Sequence, residues 1–442
     1  MIDCIPFIQR RERLMQHLGS GIAVLATAPE RVRNRDSHFP YRFDSHFYYL
    51  TGFTEPEAVV VLLADSNKAI LFCRDKDMER EIWDGFRYGP TAAAETFGFD
   101  EAYSISEMDE RLPKLMANQP ALHYALGADS SWDQRVLGWL NNVREQARSG
   151  VSAPAELRDV RVLVDAMRLI KDDFEIDLMR RSAAIACGAH RRAMLATQPG
   201  GYEYQVEAEI LHEFRRYGAQ SPAYTSIVAG GANACVLHYV DNNASLHAGD
   251  LLLIDAGCEL DGYASDITRT FPVNGQFSGA QRDMYELVLA AQAAAISAVN
   301  PQSHFNSAHE AAVRVLVQGM IDFGLCHGSV DGVIESGDYR RFYMHRTGHW
   351  LGLDVHDVGD YKQDGEWRKL QPGMVVTVEP GCYIRPADNV PEAYWNIGIR
   401  IEDDVLVTAG GAEVLTVDAP KSVVEIESWM QQRQVAEWPG AL

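Results

Sequence analysis

The sequence predicts two domains: an α/β region over residues 1–170, followed by an α+β region over residues 171–442. Three observations carry this reading. The chain has 442 residues, long for one domain and comfortable for two. Its first 150 residues alternate short apolar runs with helical stretches, and an aperiodic Ser/Pro/Gly-bearing segment, "SGVSAPAELRDV" (Ser149–Val160), reads as a linker after them. Beyond that segment, long helices are interspersed with strand signals, without strict alternation.

In the first region, "GIAVLATA" (Gly21–Ala28), "AVVVLLA" (Ala58–Ala64) and "AILFC" (Ala69–Cys73) are apolar runs bounded by turn residues. They read as strands of a mostly buried sheet. Residues near 77–86, 106–117 and 131–148 read as helices. In the second region a helix from about Asp172 carries Ile176, Met179, Ala183, Cys187 and Met194 at helical spacing, and Pro199-Gly200-Gly201 stops it. Another carries Val206, Ile210, Phe214 and Tyr217, and two more lie near 280–299 and 306–323. "LLLIDAG", "TRTFPV", "MVVTVEP" and "IGIRIEDDVLVT" are the strand signals of a largely antiparallel sheet.

Composition narrows the function. The 40 Lys+Arg against 62 Asp+Glu leave a net charge of −22, which argues against nucleic acid as a partner. That field attracts cationic groups such as a peptide's free amine, although it also serves solubility alone. The seven cysteines are odd in number and form neither C-x-x-C nor a disulfide framework, which suggests buried, reduced thiols in a cytoplasmic protein. The first residues, "MIDCIPFIQRRERL", lack a signal-peptide pattern, and no apolar run approaches a membrane span.

Four acids sit at strand edges of the second region: Asp255 after "LLLI", Asp266 before "ITRTF", Glu379 after "VVTV" and Glu402 after "IGIRI". An isolated acid there is usually a turn former. Ile254-Asp255 and Ile401-Glu402, however, set a carboxylate directly in an apolar strand, where an unpaired charge is costly and a metal ion removes the cost. "HRTGHWLGLDVHDVG" adds His345, His349 and His356, on one face if helical, although Gly348 and Gly352 make a loop crossing the site equally acceptable. Carboxylates with one imidazole suit Mn²⁺, Co²⁺ or Fe²⁺ better than a structural zinc. More than three acids suggest two ions, which roughly 3.5–4 Å apart can hold a hydroxide between them and polarise a carbonyl. The residues themselves thus point to a metallohydrolase of unknown substrate.

In order, "IDAG-x7-DITRTFPV", "MHRTGHWLGLDVHDVG", "PGMVVTVEPGCYI" and "GIRIEDDVLVT" resemble the proline-specific metallopeptidases of the pita-bread (creatinase/methionine-aminopeptidase-like) fold, and bacterial aminopeptidases P most closely. "DSHFPYRFDSHFYYLTGFTEPEAVVVL" and "EIWDGFRYG" resemble the non-catalytic N-terminal domain of that group, so the likeness covers nearly the whole chain. It implies an N-terminal domain for specificity and oligomerisation. It also implies two divalent ions, Mn²⁺ foremost with Co²⁺ or Zn²⁺ able to substitute, held by Asp255, Asp266, His349, Glu379 and Glu402. Asp266 and Glu402 would bridge, and Glu379 would also serve as general base and proton shuttle. His238 resembles an imidazole near the scissile bond, and His356 a donor to the scissile carbonyl. His345, Tyr383 and Arg400 match the pocket for the proline ring. Trp83 matches a residue that reaches a neighbouring subunit's site in a tetramer, and Asp36 an acid near the substrate's amine.

The implied reaction is attack of a metal-bridging hydroxide on the carbonyl before proline, with Glu379 delivering the proton to the proline nitrogen. The substrates would be peptides beginning Xaa-Pro, and the alternative is a prolidase restricted to Xaa-Pro dipeptides. A non-catalytic pita-bread binding protein and a metal-free amidinohydrolase of the same fold are both disfavoured by the complete ligand set. Arg346-Thr347 departs from the smaller or apolar residues of relatives, and "DYKQDGEWRKLQPG" (Asp360–Gly373) reads as a variable surface loop.

Overall fold

The structure, a computed structural model, describes residues 3–432 and divides them into two units, one ending at Arg168 and the other beginning at Leu169. In the first unit, strands β1 (Ile22–Ala26), β2 (Val59–Leu63), β3 (Lys68–Cys73), β4 (Glu101–Ser104), β5 (Ala121–Tyr124) and β6 (Glu156–Asp159) form one mixed sheet in the order β4-β3-β2-β1-β5-β6. β1, β2 and β3 pair antiparallel, whereas β4, β5 and β6 join parallel. Burial on both faces explains the unbroken apolar runs of β1 and β2. Ile22, Val24, Val59 and Val61 pack one face against helices α1 (Met108–Met116) and α2 (Ser130–Arg144), through Leu112, Met116, Trp139 and Leu140.

The linker expectation fails here. Residues 156–159 of the Ser149–Val160 segment are strand β6, paired parallel to β5 from Ala121↔Glu156 to Tyr124↔Asp159. Glu156, Leu157 and Arg158 are exposed on this sheet edge, so the strand carries no apolar pattern to read.

The second unit begins with helices α3 (Asp173–Ala196) and α4 (Glu203–Arg216). Asp172 caps α3 reciprocally with Glu175, a capping box. Strands β7 (Ile227–Gly230), β8 (Leu251–Asp255) and β9 (Thr268–Pro272) make one antiparallel sheet. Helices α5 (Gly279–Ser297) and α6 (Ser307–Asp322) come next. After them come strands β10 (Val375–Val378), β11 (Gly381–Ile384), β12 (Ile397–Arg400), β13 (Asp403–Thr408) and β14 (Gly411–Val414). β10-β13-β14 form a second antiparallel sheet and β11-β12 a ribbon. One core joins the helices to the sheets: Cys187, Ile210, Met284, Val288, Leu316 and Met320 meet Ile254, Phe271, Val376, Ile399 and Val405. None of the seven cysteines is disulfide-bonded, and all but Cys4 are buried. No helix among the described residues is long and apolar enough to cross a membrane.

The run "IGIRIEDDVLVT" is two strands. β12 ends at Arg400, β13 begins at Asp403, and Ile401-Glu402 is the break between them. Glu402 therefore sits at a strand junction, where the chain leaves one sheet for another. The histidine segment 345–356 is a loop.

Candidate metal centre

The site lies where these strands end. Asp255 is the last residue of β8, opposite Thr268 of β9. The chain returns to Asp266 through a tight connection in which a Cβ on Gly257 would lie 1.6 Å from the Ser265 carbonyl oxygen, so only glycine fits. Asp266 donates its backbone N–H to the Asp404 carboxylate at 3.2 and 3.3 Å, and Glu402 donates its own to the Thr268 carbonyl at 3.0 Å. The loop bearing His349 runs antiparallel along β10: Thr377 donates to His349 O (2.9 Å) and Glu379 to Thr347 O (2.8 Å). This ladder sets His349 beside Glu379.

Asp266, His349 and Glu402 each offer a donor atom, all within 4.8 Å of one another. His349 Nε2 is 3.4 Å from Asp266 Oδ2 and 3.7 Å from Glu379 Oε1. His349 Nδ1 lies 2.9 Å from the Trp350 carbonyl, which can only accept, so Nδ1 carries the proton and Nε2 is left as the ligating nitrogen. Asp255 joins the cluster through Tyr224, whose hydroxyl is 2.5 Å from Asp255 Oδ1 and also touches Asp266 Oδ1. One hydroxyl has one proton, so only one of these contacts is donated by Tyr224 and the other needs a proton on a carboxyl group.

Electrostatics agree with that arithmetic. Burial raises the Asp266 carboxyl above its ordinary range and, with the charges of Asp266 and Glu379, raises Glu402 well above it. Burial pushes Glu379 up to about 7. Burial alone would lower His349, but the Asp266 hydrogen bond and the Glu379 charge hold it up at about 9. Crowded buried carboxylates hold protons unless a cation replaces them. Oxygen donors and one oriented imidazole are a donor set that fits a divalent ion.

Of the other residues picked from sequence, His238, His345, His356 and Arg400 line, with the four acids and His349, a cavity of about 1170 Å³. His238 and His356 are exposed to it, and the His356 ring meets His349 edge-on at 4.3 Å. Arg400 is 4% exposed and donates to Asp255 Oδ2 (2.6 Å), to Thr268 Oγ1 (3.1 Å) and to Tyr383 Oη (2.9 Å). Tyr383 is fully buried behind the wall, 2.9 Å from His345 Nε2. Trp83 and Asp36 belong to the first unit. Trp83 is 84% exposed on the helix Met78–Asp84, and Asp36 is exposed in the turn of the hairpin Val32–Asn34/Ser37–His38.

Sequence reasoning missed the supports. Thr268 donates to Glu402 Oε2 (2.6 Å), Thr377 donates to Glu379 Oε1 (3.3 Å), and Thr347 Oγ1 meets His309 Nδ1 (2.9 Å) and Tyr343 Oη (2.6 Å). Thr268 and Thr377 lie inside the quoted motifs. Tyr224 comes after Pro222-Ala223 with no pattern to distinguish it.

Comparison with known proteins adds family context. Residues 177–409 match the metallopeptidase family M24 and residues 7–123 the aminopeptidase P N-terminal domain. The chain is 46% identical over 428 residues to an Xaa-Pro aminopeptidase of Escherichia coli (strain K12), covering 96% of this chain and 97% of that one. Among solved structures, Pseudomonas aeruginosa aminopeptidase PepP superposes with a TM-score of 0.96 at 50% identity, covering 97% of this chain and 98% of that chain. Zinc-substituted E. coli aminopeptidase P in complex with product gives 0.95 at 45% identity, with the same coverage.

Proposed function

Because the chain belongs to metallopeptidase family M24, in its aminopeptidase P branch, we infer that it is an Xaa-Pro aminopeptidase with a pita-bread catalytic domain. It releases the N-terminal residue from peptides whose second residue is proline. The observation that carries the reading is the coincidence of near-full-length identity to an Xaa-Pro aminopeptidase with an intact donor cluster in one cavity. The cluster also disfavours a non-catalytic role. Arg400 is committed to Asp255 and Tyr383, which leaves it poorly suited to clamp a dipeptide's carboxylate and favours the aminopeptidase over the prolidase reading.

Asp255, Asp266, His349, Glu379 and Glu402 would hold two divalent ions, Mn²⁺ by the hardness of the donors. Such ions supply a Lewis acid for the scissile carbonyl and an ionised water at neutral pH. The protein's own groups do the rest. The acids attract the substrate's amine. Glu379, whose Oε1 lies 3.7 Å from His349 Nε2 in the cluster, would accept a proton and pass it to the proline nitrogen. That nitrogen belongs to a tertiary amide and leaves only once protonated. His356 and His238 would donate to the developing oxyanion, and their exposure in the cavity wall supports this. His345, anchored on Tyr383, would form the proline pocket with Arg400.

The N-terminal domain would serve specificity and assembly into a tetramer, with Asp36 near a substrate amine. Met78, Ile82, Trp83 and Phe86 are each more than half exposed on one short stretch, which supports an interface there. A cytoplasmic location fits the unpaired cysteines.

The test is to strip the metal, add Mn²⁺ stepwise, and offer an Xaa-Pro-Yaa tripeptide and the matching dipeptide. Tripeptide cleavage rising as about two ions bind is expected. Cleavage of the dipeptide alone would instead make the enzyme a prolidase.

A further inference from the structure

Beyond the donor cluster, the same cavity is walled by the hairpin Lys362–Gln363/Glu366–Trp367 and by Arg346. Lys362 faces Trp367 directly across the hairpin, and its Nζ lies 4.6 Å from the indole centroid. The Arg346 guanidinium carbon lies 5.3 Å from the centroid of the same indole. Two cations therefore share one ring. Arg346 donates to Asn306 Oδ1 at 2.9 Å, and among the described residues neither cation has a carboxylate within 4.0 Å. Both side chains are exposed, as is Asp360, the acid in the lining beside them.

The platform is not loose. Trp367 lies 6.2 Å from Phe305, which meets Trp350 at 4.7 Å and Tyr361 at 4.5 Å, and Trp350 and Tyr361 stack within 7° of parallel. Trp350 is fully buried and adjoins His349 in sequence. One aromatic stack thus connects the two cations to the segment bearing the ligating imidazole.

Charge then orders the cavity. A peptide's amine is drawn to the acids and repelled by Arg346 and Lys362, while a carboxylate is drawn to the cations, whose mutual repulsion it relieves. We propose that Arg346, Lys362 and Trp367 form a carboxylate-binding site on the leaving-group side of the cavity, selecting Xaa-Pro peptides that carry a negative charge shortly after proline. This rests on the aminopeptidase reading. The carboxylate can be the terminal group of a tripeptide or an acidic side chain in a longer peptide.

The experiment is steady-state kinetics on the Mn²⁺-loaded protein with Ala-Pro-Ala, Ala-Pro-Ala-amide and Ala-Pro-Glu-amide. The expected result is a KM about five- to tenfold lower for a charged peptide than for the neutral amide at similar kcat, the difference shrinking in high salt. A low KM for the free acid alone assigns the site to terminal carboxylates, and for the Glu peptide alone to side chains. In Lys362→Gln and the Arg346→Gln/Lys362→Gln double variant the ratio of neutral to charged KM should fall toward one, while Lys362→Arg should keep it. Equal KM for all three peptides in the unaltered protein would overturn the site and leave the peptidase reading standing. Cleavage of none would overturn both.

Discussion

Gly348 lies against β10 so closely that a Cβ built on it would sit 2.0 Å from the Thr377 carbonyl oxygen. The contact has no flexible side chain to give way, because the neighbour is backbone. Gly348→Ala must push the loop off β10 and carry His349 with it. The expected outcome is loss of Mn²⁺ affinity and an activity loss on the order of a hundredfold, with far-UV circular dichroism unchanged. Full metal binding in the variant would mean the loop has room that the geometry denies.

Asp266→Ala and Glu402→Ala should each remove metal binding and peptidase activity together. Metal content by inductively coupled plasma spectrometry, measured beside tripeptide cleavage, checks this. Full activity in either variant would end the proposal that these two acids bridge a pair of ions.

Thr268→Val keeps the shape and deletes one hydroxyl, which donates to Glu402 Oε2 and accepts from Arg400 Nε. Metal affinity should fall about tenfold or more, as for other groups that orient a ligand. Isothermal titration with Mn²⁺ reads it, and a competent fold is verified by unchanged far-UV circular dichroism.

The metal-stripped protein should lose stability as pH rises above neutrality. Glu379 is raised from 4.5 to about 7 and His349 from 6.5 to about 9. Each binds its proton more tightly folded than unfolded. His190 and His309, lowered by burial to about 4, and His345, lowered by burial to about 3, oppose this below about pH 6.5, so the net fall in stability is expected between about pH 7 and 9, across the His349 titration. Melting temperatures of the chelated protein should descend from pH 7 to pH 9, and saturating Mn²⁺ should flatten or reverse the trend because the ion competes with protons.

Lys171 and Asp357 form an ion pair at 2.9 Å with both side chains 1% exposed. Lys171→Met removes the cation paired with a buried carboxylate one residue from His356. A loss of about 3 kcal/mol is expected by denaturant unfolding.

The four acids were legible because each adjoins a strand signal and because turn chemistry gave no better account of two of them. That Asp266, His349 and Glu402 meet was not legible, since it depends on β9 pairing with β8 and on a loop pairing with β10, contacts separated by up to 136 residues between Asp266 and Glu402. The break at Ile401-Glu402 was hidden because buried apolar residues continue through it. The resemblance sets Tyr383 in the proline pocket, yet it stands behind His345 and Arg400, and only side-chain packing decides that. Tyr224 carried no signal at all, because a single aromatic in a coil has no period.

The polar strand β6 has a practical consequence. A chain cut within Ser149–Val160, where composition suggests a linker, would strip the sheet of its last strand. β5, whose four residues are all buried, would then become an open hydrogen-bonding edge. Such an edge is a template for self-association. A separately expressed N-terminal fragment ending near residue 150 should aggregate, whereas one carried through Arg168 keeps its polar border and should remain monodisperse in light scattering.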